Sequence, residues 1–176
     1  ALPIVFTTEF DDLTAADVAG GTYVSTVGGA ANDLTTRGMW GGIIVLGNAT
    51  VGTDNGTASI EGIAEGFDFT TYGNATPVDT ESSGTMSYLS IRHGGATIAN
   101  GDEINGLTLG GVGSGTTINH IEIISNDDDG IEFFGGTVDV DHLIIFNQAD
   151  DAIDIDQDYS GTVTNAYVAM GADSDN

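Results

Sequence analysis

Cysteine and lysine are absent from this sequence, and arginine occurs only at positions 37 and 92. Without cysteine there is no disulfide framework and no thiol chemistry. With so few basic side chains against 27 acidic ones, the net charge is −25 at pH 7. Such a charge repels nucleic acid and anionic membrane surfaces, so we expect neither as a partner. The acidity is compatible with solubility in a salty medium and with binding of divalent cations.

Long apolar runs are also lacking. No stretch approaches the roughly 18 consecutive apolar residues that read as a membrane-spanning helix, so we expect no membrane insertion. Apolar residues nevertheless make up 40% of the 176 positions, which is enough for a packed core and excludes a disordered chain. The length suits one domain.

What the sequence contains is a repeat. Residues 107–130, 131–152 and 153–175 form three lines of 24, 22 and 23 residues. Each line opens with a short alternating strand, passes a glycine-containing turn, enters a second apolar strand and closes on an acidic turn. Strands at this period, with no helical periodicity, are typical of a solenoid in which one repeat is one coil. We therefore predict an all-β, right-handed parallel β-helix with coils of about 22–24 residues.

One domain is predicted over residues 1–176, with irregular excursions at about 11–37 and 52–83. In the first excursion we expect a short helix near Leu13 to Val18, and in the second one irregular strand within Ile60 to Phe69. Terminal coils of solenoids normally need a polar or helical cap. The apolar strand at Ile4 to Phe6 has none, so we expect a longer protein or ends that stack on neighbouring molecules.

The acidic turns are the principal candidate site. In a parallel stack, equivalent residues of successive coils lie one strand spacing apart, where two carboxylates repel by ~3 kcal/mol at an effective dielectric of 20. A bound cation, raised pKa values or side chains fanned into water would relieve this repulsion. Calcium suits clustered carboxylates and carbonyl oxygens. We predict a Ca²⁺ site among Asp127, Asp128, Asp129, Asp150, Asp151, Asp173 and Asp175. A solvated edge that binds ions only diffusely remains the alternative.

Two further columns follow from the repeat. In the strand IDID (153–156) the isoleucines are expected to face the core and Asp154 to face outward, with Glu132 of the preceding coil above it. His120 and His142 are 22 residues apart and should stack. The pair could share a metal ion, but an outward-facing ladder without metal is the simpler interpretation.

A second hypothesis is enzymatic. The sequence NDDDG (126–130), followed one coil later by NQADDAI (147–153), resembles polygalacturonase-type glycosidases. That resemblance implies a catalytic set of Asp129, Asp150 and Asp151. Either Asp150 or Asp151 would be the general acid, and Asp129 with the remaining aspartate would activate water. The family also uses Gly-His-Gly and Arg-Ile-Lys elements, and this sequence contains neither. The residues therefore favour a non-enzymatic role.

Three blocks carry a broader resemblance: GMWGGIIVLGNA (38–49), EINGLTLGGVGSGTTI (103–118) and DDGIEFFGGTV (128–138). Through them the chain resembles secreted or cell-surface bacterial proteins that are similar to right-handed parallel β-helix proteins. The resemblance implies the fold and an extracellular setting, but no activity. Our leading hypothesis is an extracellular structural protein, such as a surface-layer, adhesin-stalk or fibre subunit, rigidified by calcium and self-associating end to end. The alternative is a carbohydrate-active enzyme or carbohydrate-binding module with a polysaccharide partner.

Overall fold

A computed structural model describes residues 3–9, 11, 24–25, 32–33, 36–61, 63, 67–98 and 104–174. The helix expected near Leu13 to Val18 and the acidic residue Asp175 both lie outside these residues. Within the described part of the chain, no helix has the length and apolar character needed to cross a membrane.

Two parallel sheets form the body of the described structure, as the repeat predicted. One sheet, the long-strand sheet, has five strands, and the other, the short-strand sheet, has four; the strands of each are given below in the order in which they lie side by side. The long strands are β1 (Ile4–Phe6), β7 (Thr85–Arg92), β9 (Thr117–Ile124), β11 (Val140–Phe146) and β13 (Val163–Ala169). The short strands are β4 (Ile43–Leu46), β8 (Leu107–Gly110), β10 (Ile131–Phe134) and β12 (Ile153–Asp156). The chain alternates between the sheets, which is the arrangement of a parallel β-helix.

The register of the coils follows the sequence lines. Leu107 pairs with Ile131, and Ile131 with Ile153, so the first residues of the three lines form one column. This column faces the core, where Leu107 and Ile131 are fully buried. The period read from the sequence is therefore the true coil length.

The long strands contain a shared kink that the period-two pattern does not predict. His120 and His142 have left-handed backbone conformations, with φ of 54° and 58°, and lie one above the other in the stack. Because the kink shifts the alternation by one residue, Ile118 and Ile121 both face the core although they are three residues apart. The left-handed conformation costs a non-glycine residue roughly 1–2 kcal/mol, which the packing on both sides of the kink must offset.

The second excursion packs on the body of the protein. Strands β5 (Thr57–Ser59) and β6 (Thr71–Gly73) pair antiparallel, preceded at β6 by a 3₁₀ turn at Asp68–Thr70. None of the described residues from Ile60 to Phe69 lies in a strand, so the irregular strand expected there is not found among them. Ile60 instead packs with Tyr72 against Phe134, on the outer face of the short-strand sheet. We call β5, β6 and the described residues between them the covering hairpin.

The first excursion is described only in small part. Its described residues include the antiparallel pair β2 (Val24–Ser25) and β3 (Asn32–Asp33). The end of this segment is anchored to the body of the protein, because Arg37 donates to the carbonyl oxygen of Asn147 at 2.9 Å. Trp40, just beyond it, donates from its indole nitrogen to the carbonyl oxygen of Arg92 at 2.7 Å.

The core between the two sheets should dominate stability. Phe133 is fully buried and its ring centroid lies 4.2 Å from that of Tyr159. We expect Phe133→Ala to lower the free energy of unfolding by about 3–5 kcal/mol, because it removes a large side chain and leaves a cavity. Ile144→Ala, at an exposed position of β11, should change it by about 0.5 kcal/mol or less. Denaturant unfolding of both variants checks this, and equal losses would contradict the assigned core.

Candidate metal centre

Three of the predicted acidic residues come together at the coil turns. Carboxylate oxygens of Asp128, Asp129 and Asp150 all lie within 4.8 Å of one another. Asp151 is exposed, and its backbone N–H donates to Asp129 Oδ1 at 3.0 Å. Asp127 is exposed at the beginning of the same turn. We call Asp128, Asp129 and Asp150 the turn cluster.

Asp173 has a basic partner of its own. Arg37 Nη1 lies 3.0 Å from Asp173 Oδ2, and the same guanidinium donates to the carbonyl oxygens of Asn147 and Gln148. The structure thus places Asp173 in an ion pair. Asp175 lies outside the described residues.

A second group of acidic oxygens lies beside the first and shares Asp129 with it. Oxygens of Asp129, Glu132 and Asp154 also lie within 4.8 Å of one another. Glu132 pairs in register with Asp154, which confirms the predicted column. Only 8% of Asp129 and 6% of Glu132 are exposed, and Glu61 of the covering hairpin acts electrostatically on Glu132. We call Asp129, Glu132 and Asp154 the covered cluster.

Asn105 completes the surroundings of the covered cluster. It is buried, and its Nδ2 donates to Glu132 Oε2 and, at 3.3 Å, to Thr108 Oγ1. Its Oδ1 is buried with no hydrogen-bond partner. The nitrogen of this amide thus bonds to the carboxyl group of Glu132, while its oxygen is left unsatisfied.

Burial dominates the electrostatics of this cluster. It raises the pKa of Asp129 to about 7, with the carboxylates of Asp128 and Asp154 adding to the effect. Burial likewise raises the pKa of Glu132 to about 9, with Glu61 and Asp129 adding to it. The hydrogen bonds from the Asp151 N–H and the Asn105 side chain act in the opposite direction but are the smaller effects. Without a cation, Asp129 and Glu132 therefore retain protons near neutral pH.

The basic side chains of the chain make their contacts elsewhere. Arg37 binds Asp173, while Arg92 lies 3.5 Å from both Asp11 and Glu122. His93 lies 2.7 Å from the carbonyl oxygen of Thr36. Since the sequence has no lysine, an ionised covered cluster needs a counter-charge from solution.

The oxygen spacing suits calcium coordination. Calcium binds oxygens at about 2.3–2.6 Å, so two ligands of one ion lie up to about 5 Å apart. Carboxylate oxygens within 4.8 Å can therefore share an ion in either cluster. The same spacing at Asp129 and Asp150 is closer than the roughly 6.5–9.5 Å that inverting glycosidases keep between their carboxyl groups to admit water.

A separate column of rings lies on the outer face of the long-strand sheet. The centroids of His120 and His142 are 4.5 Å apart with ring planes inclined by 4°, which confirms the predicted stack. Tyr88 extends it, 4.4 Å from His120. Beside the histidines is an open cleft of about 370 Å³, also lined by Ile144 and Tyr167.

Sequence reasoning missed the parts of these sites that depend on long-range contacts. It placed Glu132 above Asp154 but gave no sign that Glu132 is buried or that Asn105 contacts it. One signal was available: Ile60 and Tyr72 are apolar residues within an excursion and need a surface to cover. For the ring column, the missed member Tyr88 lies 32 residues before His120, a spacing lengthened by the loop that leads to β8.

Comparison with known proteins identifies one related family. It is described as a pectate-lyase like beta helix domain and matches residues 3–176. No curated protein and no solved structure matches the chain. The family agrees with the observed architecture and leaves substrate, ligand and partner open.

The raised pKa values predict how stability depends on pH in EDTA. Glu132 titrates near 9 when folded but near 4.3 when unfolded, so the folded state binds more protons between these values. The free energy of unfolding should therefore fall as pH rises from about 5 to 9. Glu132→Gln should flatten this slope and raise stability at pH 8 by about 2–4 kcal/mol.

Chemical denaturation at several pH values measures the slope. Asp156→Asn removes the same charge at an exposed position two residues beyond Asp154 in β12, and should keep the wild-type slope. A metal-free protein whose stability rises between pH 5 and 9 would contradict the prediction.

Proposed function

The chain belongs to the family of pectate-lyase like β-helix domains, and we propose that it serves as a rigid segment of an extracellular or cell-surface structural protein. In this role it is a surface-layer, adhesin-stalk or fibre subunit. Calcium at the turn cluster holds successive coils together, and the coils stack end to end on further coils. The exposed side chains at core positions of the outermost described strands, β1 and β13, carry this proposal.

Both ends of the described stack expose side chains that hold core positions. Ile4 pairs with buried Leu89, and Val168 pairs with buried Ile145, yet Ile4 and Val168 are exposed. Phe6 and Ile155 extend the two exposed ends. Within the residues that the structure describes, β1 and β13 pair on one side only, and an apolar strand with a free edge favours pairing with another strand. A head-to-tail contact between identical molecules generates a filament when it does not close into a ring.

In this proposal, calcium reduces the repulsion between acidic side chains of neighbouring coils. The turn cluster holds three acidic side chains within 4.8 Å, and the whole chain carries a charge of −25. A divalent cation shared by Asp129 and Asp150 joins residues of neighbouring coils and replaces repulsion with attraction. Modules that work outside the cell commonly bind calcium at about 0.1–1 mM, which suits a secreted protein.

Assembly is tested by following particle length during a calcium titration, with magnesium as control. We expect the full chain to lengthen in sedimentation and small-angle scattering as calcium reaches millimolar concentration. Val168→Lys should weaken the association at least tenfold, because it puts a charge on the open end of the core. Ile144→Lys is a matched control, since Ile144 is exposed to 46% and Val168 to 41%, but Ile144 lies on the side of the stack.

Two results would contradict the assembly. One is a monomer at every protein and calcium concentration. The other is equal weakening by both substitutions, which would point to a general effect of charge.

The ring column supports a second candidate, a carbohydrate-binding module. Tyr88 and Tyr167 are exposed beside the stacked histidines, and aromatic faces next to polar groups suit the apolar faces and hydroxyls of sugars. The strongly negative chain favours a neutral glycan over an acidic one.

Tyr167→Ala should reduce retention on neutral polysaccharides at least fivefold if this candidate is right. Affinity electrophoresis against a panel of neutral and acidic polysaccharides measures it. Phe69→Ala, an exposed aromatic on the covering hairpin, is the control and should leave retention unchanged. If Tyr167→Ala binds the polysaccharides as well as the wild type and Phe69→Ala do, the carbohydrate-binding candidate is wrong.

A further inference from the structure

We propose that the imidazole rings of His120 and His142 form a site for a divalent transition-metal ion, of the class of zinc and copper, on the outer face of the long-strand sheet. This site shares no residue with the turn cluster or the covered cluster. The inference goes beyond the proposed function and rests neither on calcium binding nor on end-to-end assembly.

The register of the long strands brings the two histidines together. His120 and His142 occupy the same place in β9 and β11, and both have the left-handed backbone conformation of the kink. Their ring centroids are therefore only 4.5 Å apart, with planes inclined by 4°. Both residues are exposed, and 52% of the His142 side chain is open to solvent. An ion in solution reaches both rings directly.

The hydrogen bonds of the two rings leave the same nitrogen available to a metal ion. His142 Nδ1 lies 2.8 Å from Asp141 Oδ2. Because a carboxylate accepts and does not donate, Nδ1 carries the proton of the neutral ring and Nε2 keeps its lone pair. His120 Nδ1 lies 3.0 Å from Asn119 Oδ1, an amide oxygen that likewise only accepts. Both rings therefore offer Nε2 as the ligand atom.

The pairing of Asp141 with His142 is the arrangement found around metal-bound histidines. A histidine that binds a metal through one nitrogen almost always donates from the other to a carboxylate, a carbonyl or water, which fixes its tautomer and its orientation. Asp141 is itself held in place, since its Oδ1 accepts from Thr164 Oγ1 at 2.8 Å and from Asn165 Nδ2 at 2.7 Å. Ring stacking alone does not require this second layer of hydrogen bonds.

The spacing of the two rings requires a small closure when an ion binds. Because the rings are parallel and both Nδ1 atoms bond to the preceding residue, the Nε2 atoms are separated by about the centroid distance. Two nitrogens at about 2.0–2.1 Å from one tetrahedral ion lie about 3.4 Å apart, so the Nε2 atoms must approach by about 1 Å. Tilting of both exposed rings provides this, beside the open cleft of about 370 Å³.

The type of ligand selects the class of ion. Imidazole nitrogen suits zinc, copper and nickel, whereas calcium and magnesium prefer oxygen. Two protein nitrogens leave the remaining positions of a four-coordinate zinc ion to water. The net charge of −25 raises the concentration of cations near the surface. The charge of the whole chain thus attracts the ion, and the two nitrogens give the site its selectivity.

The test uses the full chain at neutral pH, with zinc chloride as ligand and calcium chloride as control. Calorimetry measures binding, and electron paramagnetic resonance of bound Cu²⁺ reports whether its ligands are nitrogen or oxygen. We expect a zinc-binding event that His120→Asn and His142→Asn each weaken at least tenfold, and nitrogen coupling to copper that both variants reduce. Asparagine preserves the kink, because Asn165 has φ of 53° at the same place in β13.

A second pair of variants tests the positioning role of Asp141. Asp141→Asn should weaken zinc binding about tenfold, since it removes the carboxylate that orients the ring of His142. Asp139→Asn removes the same charge from an exposed position two residues earlier and should change binding less than twofold. Equal weakening by both would mean that Asp141 contributes only charge and would contradict its positioning role.

Three results would overturn the site itself. One is zinc binding that survives both histidine substitutions unchanged. Another is a copper spectrum with oxygen ligands only, which would place the ion at the acidic turns. The third is the absence of binding at millimolar zinc.

Discussion

Parallel, in-register hydrogen bonding between coils is the constraint on which the rest of this structure depends. It places like residues directly above one another at about 4.8 Å. The column of Leu107, Ile131 and Ile153 gains from this, because each apolar side chain packs on the next. The neighbouring column of Glu132 and Asp154 pays a penalty from the same geometry. One spacing thus produces both the stability of the rod and its electrostatic problem.

The structure reduces the repulsion between acidic side chains in different ways at different places. On the outer face of the long-strand sheet, Asp141 accepts hydrogen bonds from Asn165 and Thr164, which hold its pKa at about 2 with help from His142. Asp173 has Arg37. Glu132 has one amide donor and otherwise faces carboxylates, so its pKa rises to about 9. Asp141, with hydrogen-bond donors nearby, stays ionised, whereas the buried Asp129 and Glu132 need a proton or a cation.

The sequence was a reliable guide where stacking alone decides the answer. The spacing of Leu107, Ile131 and Ile153 predicted their register. When the repeat length is nearly constant, residues at the same position of successive repeats pair with one another. The sequence was a poor guide to Glu132, which is only 6% exposed and is affected by Glu61, a residue about 70 positions earlier in the chain. The kink at His120 was hidden as well, since a left-handed residue inside a strand has no reliable local pattern when it is not glycine.

At the covering hairpin, the free energy gained by burying apolar side chains is close in size to the electrostatic repulsion that opposes it. The buried side chain of Ile60 favours attachment of the hairpin to the sheet by roughly 1.5–3 kcal/mol. A pair of like charges one strand spacing apart opposes attachment by ~3 kcal/mol at an effective dielectric of 20, and a proton on Glu132 removes this repulsion. The coil core buries many such side chains and is insensitive to a term of this size. The attachment of the hairpin is therefore more sensitive to the charge of Glu132 than the coil core is.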